Sequence, residues 1–366
     1  MNVIVMAAAS REGGALMIYR QFLSHLPEHI GEDRYYIFIE PEMPAPEIPG
    51  VTYFPVNLWK SMRSRIRFDA VGCRRFLEEK GVRPDKLISF QNTGVNALKD
   101  IPQLVYYHQA IPFYPYRWNP LKASERKMFL YKRVYPWFVR TSIGRQTHVV
   151  VQTPYVKRCF ARFFRFDEKR IHALFPDVKA IDRTQVEAYP YGAGPSHFIY
   201  PATAWSFKNH RLLIDALTCL RKRDAGLVKK IRLHLTVREQ EAPALAAAVR
   251  ANGLEEIVLL EGGVPFELLL QKYAACKGML FPSKMETIGL PLLEAASLGL
   301  PILAADLDYA RDVLDGYAGA QFLPLGDPAR WADAIATLAS QPLQRHPYEV
   351  VRESSWPEFF RIVKEM

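Results

Sequence analysis

The sequence predicts an α/β protein built from two doubly wound domains. Short apolar runs recur along it, separated by amphipathic stretches, which is the alternation expected of parallel sheets covered by helices. Its 366 residues are too many for one ordinary core, and the composition is globular, 49% hydrophobic and 23% charged. The Pro- and Gly-rich stretch YPYGAGPS marks a break in the pattern. The expected organisation is a first domain over 1–176, a linker over 177–195, a second domain over 196–345 and a tail helix within 346–366.

The elements follow in order. MNVIVMAAAS has no basic leader and reads as a strand, Val3–Ala7, rather than a signal peptide. Ser10-Arg11-Glu12-Gly13-Gly14 then turns into an amphipathic helix carrying Leu16, Tyr19, Phe22 and Leu23. The pair Gly13-Gly14 either lets backbone approach a bound group or simply makes the turn. Strands are predicted at Tyr35–Ile39, Val51–Val56 and Lys86–Phe90, with a basic helix over Ser64–Lys80. Gln103–Gln109 reads as a buried strand ending in His108. Open α/β sheets present their chemistry at such carboxyl ends, although a lone His is also a common structural residue. A pKa near neutrality would suit His108 to hydrogen-bond a sugar hydroxyl.

Arg117–Arg145 has the most unusual composition. It holds Arg117, Lys122, Arg126, Lys127, Lys132, Arg133, Arg140 and Arg145 against the single acid Glu125, interleaved with Trp118, Phe129, Tyr131, Tyr135, Trp137 and Phe138. That mixture suits a surface lying on anionic lipid headgroups, a groove that stacks bases of single-stranded nucleic acid, or an ordinary helix with solvated charges. Pro136 breaks or kinks any helix there. A strand at Thr147–Gln152 and a helix through Phe164 complete the first half.

The second half opens with a strand at His197–Pro201. AWSFKNH then precedes a helix bearing Leu212, Leu213, Ala216, Leu217 and Leu220. Lys208 in that loop is either a cation for a phosphate or a solvated lysine. Further strands are expected at Ile231–Val237, Ile257–Leu260, Met279–Phe281 and Ile302–Ala305, and helices at Trp331–Leu338 and Pro357–Lys364.

FPSKMETIGLPLLEAASLGLPILAAD, residues Phe281–Asp306, carries the most chemistry. Glu286 and Glu294 stand eight positions apart around Gly289 and Pro291. Pro suits a first helical position, and Gly permits close backbone approach to a ligand. The mouth of a helix opened by Pro291 would seat a phosphate, with a carboxylate on each side to accept sugar hydroxyls. The apolar stretch 288–305 holds Glu294, two prolines and two glycines and is read as strand and helix, not a membrane span. Asp306-Leu307-Asp308 has the D-x-D form of a metal site, a pattern that also arises by chance. Cys73, Cys159, Cys219 and Cys276 lack metal-site spacing and read as reduced thiols of a cytoplasmic protein. The net charge of +10 and a sequence pI near 9.3 imply attraction to something anionic.

Glu286-Thr287-Ile288-Gly289-Leu290-Pro291-Leu292-Leu293-Glu294 resembles the E-x7-E signature of family 4 retaining glycosyltransferases, the glycosyl transferases group 1. Weaker matches are Gly13-Gly14, His108, Lys208, and Tyr273 in the helix after Gly262-Gly263. The resemblance implies a GT-B fold, two Rossmann-like domains facing a central cleft, with the tail helix crossing back to the first domain. It implies that Glu286 contacts the donor sugar, and that Lys208 and the backbone of Ile288, Gly289 and Leu290 hold the diphosphate. Glu294 would bind the ribose, and His108 would reach the sugar or reacting centre. Gly13, Gly14 and Gly263 would lie near the donor. The family commonly has an Arg six residues before the Lys, where this sequence has Ala202, so Arg238 or Lys284 becomes the candidate replacement.

The expected activity is transfer of a sugar, with retention of configuration, from a nucleotide sugar to a saccharide or lipid-linked acceptor. The setting implied is bacterial polysaccharide or glycolipid assembly. No metal and no other cofactor is expected. Expected partners are the nucleotide sugar, the acceptor and an anionic membrane met through Arg117–Arg145, not nucleic acid, with the protein cytoplasmic and peripheral on the inner face. The alternatives are an epimerase or phosphorylase on the same fold, or a non-enzymatic lipid- or nucleic-acid-binding protein.

Overall fold

The computed structural model describes the chain apart from residues 12, 58–61, 122, 179–180, 347 and 349–352. Glu12 of the first turn, Lys122 of the basic segment, and those parts of the expected linker and tail segment therefore lie outside the described residues. The chain divides into two compact units, Met1–Asp177 with Arg352–Met366, and Val178–Val351.

The first unit is organised on a seven-stranded sheet of order β3-β2-β1-β4-β5-β6-β7, parallel throughout. Its strands are β1 (Asn2–Met6), β2 (Arg34–Ile39), β3 (Val51–Pro55), β4 (Lys86–Ser89), β5 (Gln103–Tyr107), β6 (Thr147–Val151) and β7 (Ile171–Ala173). Parallel sheets are covered on both faces, so their central strands are apolar without alternation. Val3, Ile4, Val5 and Met6 are accordingly all fully buried.

On one face the helix Gly13–His29 packs with the tail helix Trp356–Glu365. Phe22 lies 5.6 Å from Phe360 and 6.2 Å from Trp356, ring centre to ring centre. Lys86 Nζ donates to the carbonyls of Val363 and Lys364, both at 2.8 Å, satisfying the open carboxyl end of the tail helix. On the other face Phe38 meets Phe68 and Phe76. These last two belong to the predicted basic helix, which is interrupted by a π-helical turn at Phe68–Gly72 between Met62–Arg67 and Cys73–Glu79.

The second unit carries a six-stranded parallel sheet of order β10-β9-β8-β11-β12-β13. The strands are β8 (Ser196–Tyr200), β9 (Ile231–Leu235), β10 (Val258–Leu260), β11 (Gly278–Phe281), β12 (Ile302–Ala305) and β13 (Ala320–Leu323). The stretch read as a linker packs onto this unit. Tyr189 N–H donates to Gln271 O at 3.0 Å, and the Tyr191 ring stacks on His197 at 3.9 Å. Each sheet has one switch point where strand order reverses, between β1 and β4 and between β8 and β11. Ligands of open α/β sheets gather outside the carboxyl ends of strands at such points.

Candidate functional site

In the second unit, β8 and β11 flank the switch point, and the loops after them open at the same edge. They are stitched together: Lys284 N–H donates to Phe207 O at 2.8 Å, and Asn209 Nδ2 donates to Pro282 O at 3.3 Å. A single 3₁₀ turn, Ser206–Lys208, leads through Asn209 into the helix His210–Arg223. Asn209 has φ of 59°, a left-handed conformation that Asn tolerates better than most residues. Tyr200 Oη donates to the carbonyl of Lys208 at 2.7 Å, pinning that turn to the end of β8.

The result is direct contact between two residues singled out in the sequence. Lys208 Nζ lies 2.6 Å from Glu286 Oε1, with the side chains 17% and 12% exposed. An ammonium has three donors, and this contact uses one. Lys208 is thus no freely solvated lysine.

Glu286 shares its loop with Gly289, which caps the helix Leu290–Ser297 in the left-handed region, φ 66°. A Cβ there would come within 3.3 Å of Leu292 Cδ1 and 3.6 Å of Glu286 Cγ. Pro291 occupies the second helical position, not the first as predicted, because Leu290 is already helical. Proline is tolerated there because first-turn N–H groups have no acceptor within the helix. Ile288 is buried.

Glu294 follows one turn later and is mostly buried. Burial pushes its carboxyl up to about 7, against the opposing effect of a hydrogen bond from Tyr273. The Tyr273 hydroxyl donates to Glu294 Oε2 at 3.5 Å.

The remaining candidates of this unit are spread more widely. Lys284 stands in the β11 loop itself. Arg238 and Gly263 belong to the loops after β9 and β10, where the exposed Arg238 side chain lies across Gly262. Ala202, in the family's Arg position, is buried and donates its N–H to Thr236 Oγ1 at 3.0 Å. Beside it sits His210, whose pKa is lowered to about 4 by burial and then by the charge of Lys208. A neutral imidazole, not a cation, therefore adjoins Ala202. Asp306 of the D-x-D accepts from Arg311 Nε at 2.7 Å, and Asp308 begins the helix Asp308–Val313. Among the described residues no group of three His, Cys, Asp or Glu is arranged to hold a metal ion.

In the first unit, Gly13 and Gly14 open the helix after β1, and His108 follows β5 directly. His108 N–H donates to Asn92 Oδ1 at 2.6 Å, which fixes the orientation of the Asn92 amide. Asn92 Nδ2 then faces His108 Nε2 at 3.3 Å, so Nε2 accepts and Nδ1 carries the proton. Nδ1 is buried without a partner. Burial lowers the His108 pKa to about 4, correcting the expectation of near-neutral titration: the ring is a neutral hydrogen-bond donor at physiological pH. Asn92, Tyr200, Asn209 and His210 were not singled out in the sequence. For Asn92 the signal is a polar run soon after an apolar strand, Gln91-Asn92-Thr93.

The basic segment forms the helices Ala123–Arg133 and Tyr135–Ser142, broken ahead of Pro136. Its aromatics divide. Trp118 is 4% exposed, whereas Trp137 is 62% exposed, with Leu130 and Val134 also exposed. Lys132 is not a solvated charge: its Nζ donates to the carbonyls of Tyr114 and Tyr116. Among the described residues no helix is long and apolar enough to cross a membrane.

Residues 195–341 match the family described as Glycosyl transferases group 1. The chain is 22% identical over 214 residues to the O-antigen chain mannosyltransferase RfbU of Salmonella typhimurium, covering 58% of this chain and 57% of that protein. It is 34% identical over 105 residues to a D-inositol 3-phosphate glycosyltransferase of Frankia alni, covering 28% of this chain and 25% of that protein. The chain thus spans about half of the first relative's length and a quarter of the second's. Among solved structures, WaaG, a glycosyltransferase involved in lipopolysaccharide biosynthesis, superposes with a TM-score of 0.66 at 16% identity, over 93% of this chain and 91% of that one. Anabaena Alr3699/HepE, solved with UDP and glucose, gives 0.61 at 15% identity, over 93% and 90%. The architecture, two Rossmann-like parallel α/β units, is that of the GT-B glycosyltransferases.

Proposed function

We propose, from the premise that this GT-B chain carries a Glycosyl transferases group 1 domain, that it is a retaining transferase. It moves a sugar from a nucleotide sugar to a saccharide or lipid-linked acceptor in cell-surface polysaccharide or glycolipid assembly. The contact between Lys208 and Glu286 at the mouth of the Leu290–Ser297 helix carries the reading. It puts a cation, a carboxylate and a positive helix end within one small volume, the complement of a sugar diphosphate.

Each group has a task. As the bond to the anomeric carbon breaks, negative charge grows on the diphosphate. Lys208, with two donors beyond its contact to Glu286, and the helix N-terminus stabilise that charge without a metal. Glu286 accepts from hydroxyls of the transferring sugar and orients it as oxocarbenium character develops. Glu294 accepts from the ribose. Arg238, Gly263 and Lys284 border the donor. Retention follows attack by the acceptor hydroxyl on the face the diphosphate is leaving, with the diphosphate taking the acceptor's proton. No cofactor takes part, and activity that persists in EDTA is the corresponding expectation. The exposed Trp137, Leu130 and Arg133 support peripheral contact with an anionic membrane on its cytoplasmic face.

A screen of nucleotides and nucleotide sugars by thermal shift tests the reading, because a ligand that binds only the folded state raises its stability. The matching donor, supplied with radiolabelled sugar and a saccharide acceptor, gives labelled product. Glu286→Ala lowers that turnover by on the order of 100- to 1,000-fold while leaving the protein folded. Near-normal turnover in this variant removes the assignment. Interconversion of the nucleotide sugar without acceptor identifies an epimerase instead, and a requirement for orthophosphate identifies a phosphorylase.

A further inference from the structure

Tyr273 is fully buried on the helix Phe266–Ala275, so its hydroxyl needs a partner. Three other buried tyrosines of the second unit meet that need with the main chain. Tyr200, Tyr309 and Tyr317 donate to the carbonyls of Lys208, Ser283 and Leu300 at 2.7, 2.6 and 2.7 Å. Tyr273 turns instead to a side chain on another helix, Glu294 Oε2 at 3.5 Å, and that residue is only partly closed off from solvent. For packing alone a carbonyl is the better partner, because burying an ionisable carboxyl adds a desolvation cost.

One residue clasps the two helices that meet here. Arg345 Nη2 donates to the carbonyls of Tyr273, at 3.1 Å, and Ala274, and its Nη1 donates to Leu298 O at 3.4 Å. A single guanidinium thereby caps the carboxyl ends of the helices bearing Tyr273 and Glu294, where carbonyls lack partners within the helix. The other charged groups nearby are turned elsewhere or act on Tyr273. Lys272 is committed to Glu261 at 3.0 Å, and Cys276 acts on Tyr273. The helix Asp308–Val313 brings Asp308, Arg311 and Asp312, with Arg311 paired to Asp306, and β12 brings no charged residue. Tyr273 is the ionisable group that acts on the Glu294 carboxyl.

We propose that Tyr273 is a positioning residue of the donor site, whose hydroxyl holds the Glu294 carboxylate ionised and oriented to receive the ribose. This rests on the ribose role of Glu294 proposed above. An ionised carboxylate accepts several hydrogen bonds, so one oxygen keeps the Tyr273 hydroxyl while the group takes the two ribose hydroxyls. The burial that disfavours the charge is offset by a donor already in place, and the long bond of the free protein shortens when the ligand ionises the carboxyl.

The test uses the whole protein with UDP, GDP, ADP and CDP, and the nucleotide that stabilises it most is taken into calorimetry from about pH 5.5 to about pH 9. Tyr273→Phe keeps the ring and removes only the hydroxyl. It moves the midpoint of the affinity rise upward by roughly half to one pH unit, a loss of roughly three- to tenfold below the midpoint that narrows as pH rises. Carbon-13 NMR of the glutamate carboxyls in the free protein, assigned with Glu294→Gln, shows the same upward move for Glu294. In the Glu294→Gln background, Tyr273→Phe changes affinity no further. An equal loss at every pH, an unmoved carboxyl midpoint, or an undiminished effect in the Glu294→Gln background makes Tyr273 a packing residue and overturns the proposal. A carboxyl midpoint that moves while affinity stays independent of pH also overturns it, because Glu294 then does not meet the ribose, and the transferase reading still stands on nucleotide binding. If none of the four nucleotides stabilises the wild type, the transferase reading falls and the positioning role with it.

Discussion

At the scale of single residues, Glu294 is the most sensitive reporter of the proposed donor site. Its pKa in the folded protein, about 7, lies above its ordinary value because the carboxyl is buried. The folded state therefore prefers the protonated form. The stability this contributes is complete below the unfolded pKa and is lost as pH rises through about 7, by roughly 3 kcal/mol for a rise of this size. Glu294→Gln removes that loss. The difference in unfolding free energy between variant and wild type, measured by denaturant titration, then grows in favour of the variant from pH 5 to pH 8. With Glu294 meeting the ribose as proposed, nucleotide binding has the opposite pH dependence, because two ribose hydroxyls need the ionised carboxylate. Affinity increases as pH rises through about 7, and binding releases a proton, detectable by calorimetry in buffers of different ionisation enthalpy. PH-independent affinity across that window would show that Glu294 does not meet the ribose. Lys208 behaves differently, because its charge is matched by Glu286 at 2.6 Å. Lys208→Ala both removes the proposed phosphate donor and strands a carboxylate that is only 12% exposed. Turnover falls, and stability drops by roughly 1–3 kcal/mol.

At the scale of elements, the Glu286 loop and the helix after it act as one piece through Gly289. Its left-handed φ disfavours any L side chain, and a Cβ would press on Leu292 while meeting Glu286 only at ordinary contact distance. Gly289→Ala therefore costs about 1–2 kcal/mol in stability and strains the turn that joins Glu286 to the helix. Donor affinity measured by calorimetry falls more than the melting temperature implies; an unchanged affinity would mean the loop adjusts freely. This element was legible in the sequence because Gly, Pro and two acids have fixed meanings at a helix start. Most strands were legible too, since buried parallel strands are uninterrupted apolar runs. The missed strands were β7 and β13, edge strands whose sequences IHA and AQFL alternate too briefly to register. The π-helical turn at Phe68–Gly72 was hidden because Phe68 and Phe76 keep an ordinary helical pattern around it. The Asn92–His108 bonds were hidden because they depend on two loops meeting across neighbouring strands, β4 and β5.

At the scale of the whole molecule, the net charge of +10 acquires a location only through packing. Sequence counting put eight basic residues between Arg117 and Arg145. Lys132 is consumed in holding two carbonyls, and Arg140 donates to Phe163 O at 3.1 Å. Arg126 and Arg133 are exposed, with Leu130 between them on the same helix face and Trp137 beyond. Residues four and three apart share a face, so Arg126, Leu130 and Arg133 form a mixed cationic and apolar stripe. A surface of this kind adheres to anionic headgroups by charge and inserts its apolar side chains at the acyl boundary. Reversing both arginines, Arg126→Glu with Arg133→Glu, lowers partition onto phosphatidylglycerol-containing vesicles by at least about 30-fold, taking roughly 1 kcal/mol per basic residue. Added salt weakens the wild type in the same direction, and Trp137→Ala weakens it with little change in salt dependence. Transfer to a soluble saccharide acceptor is untouched in these variants, because none of the altered residues belongs to the proposed donor site. Equal co-sedimentation of wild type and double variant at low salt would leave the stripe as an ordinary solvated helix face.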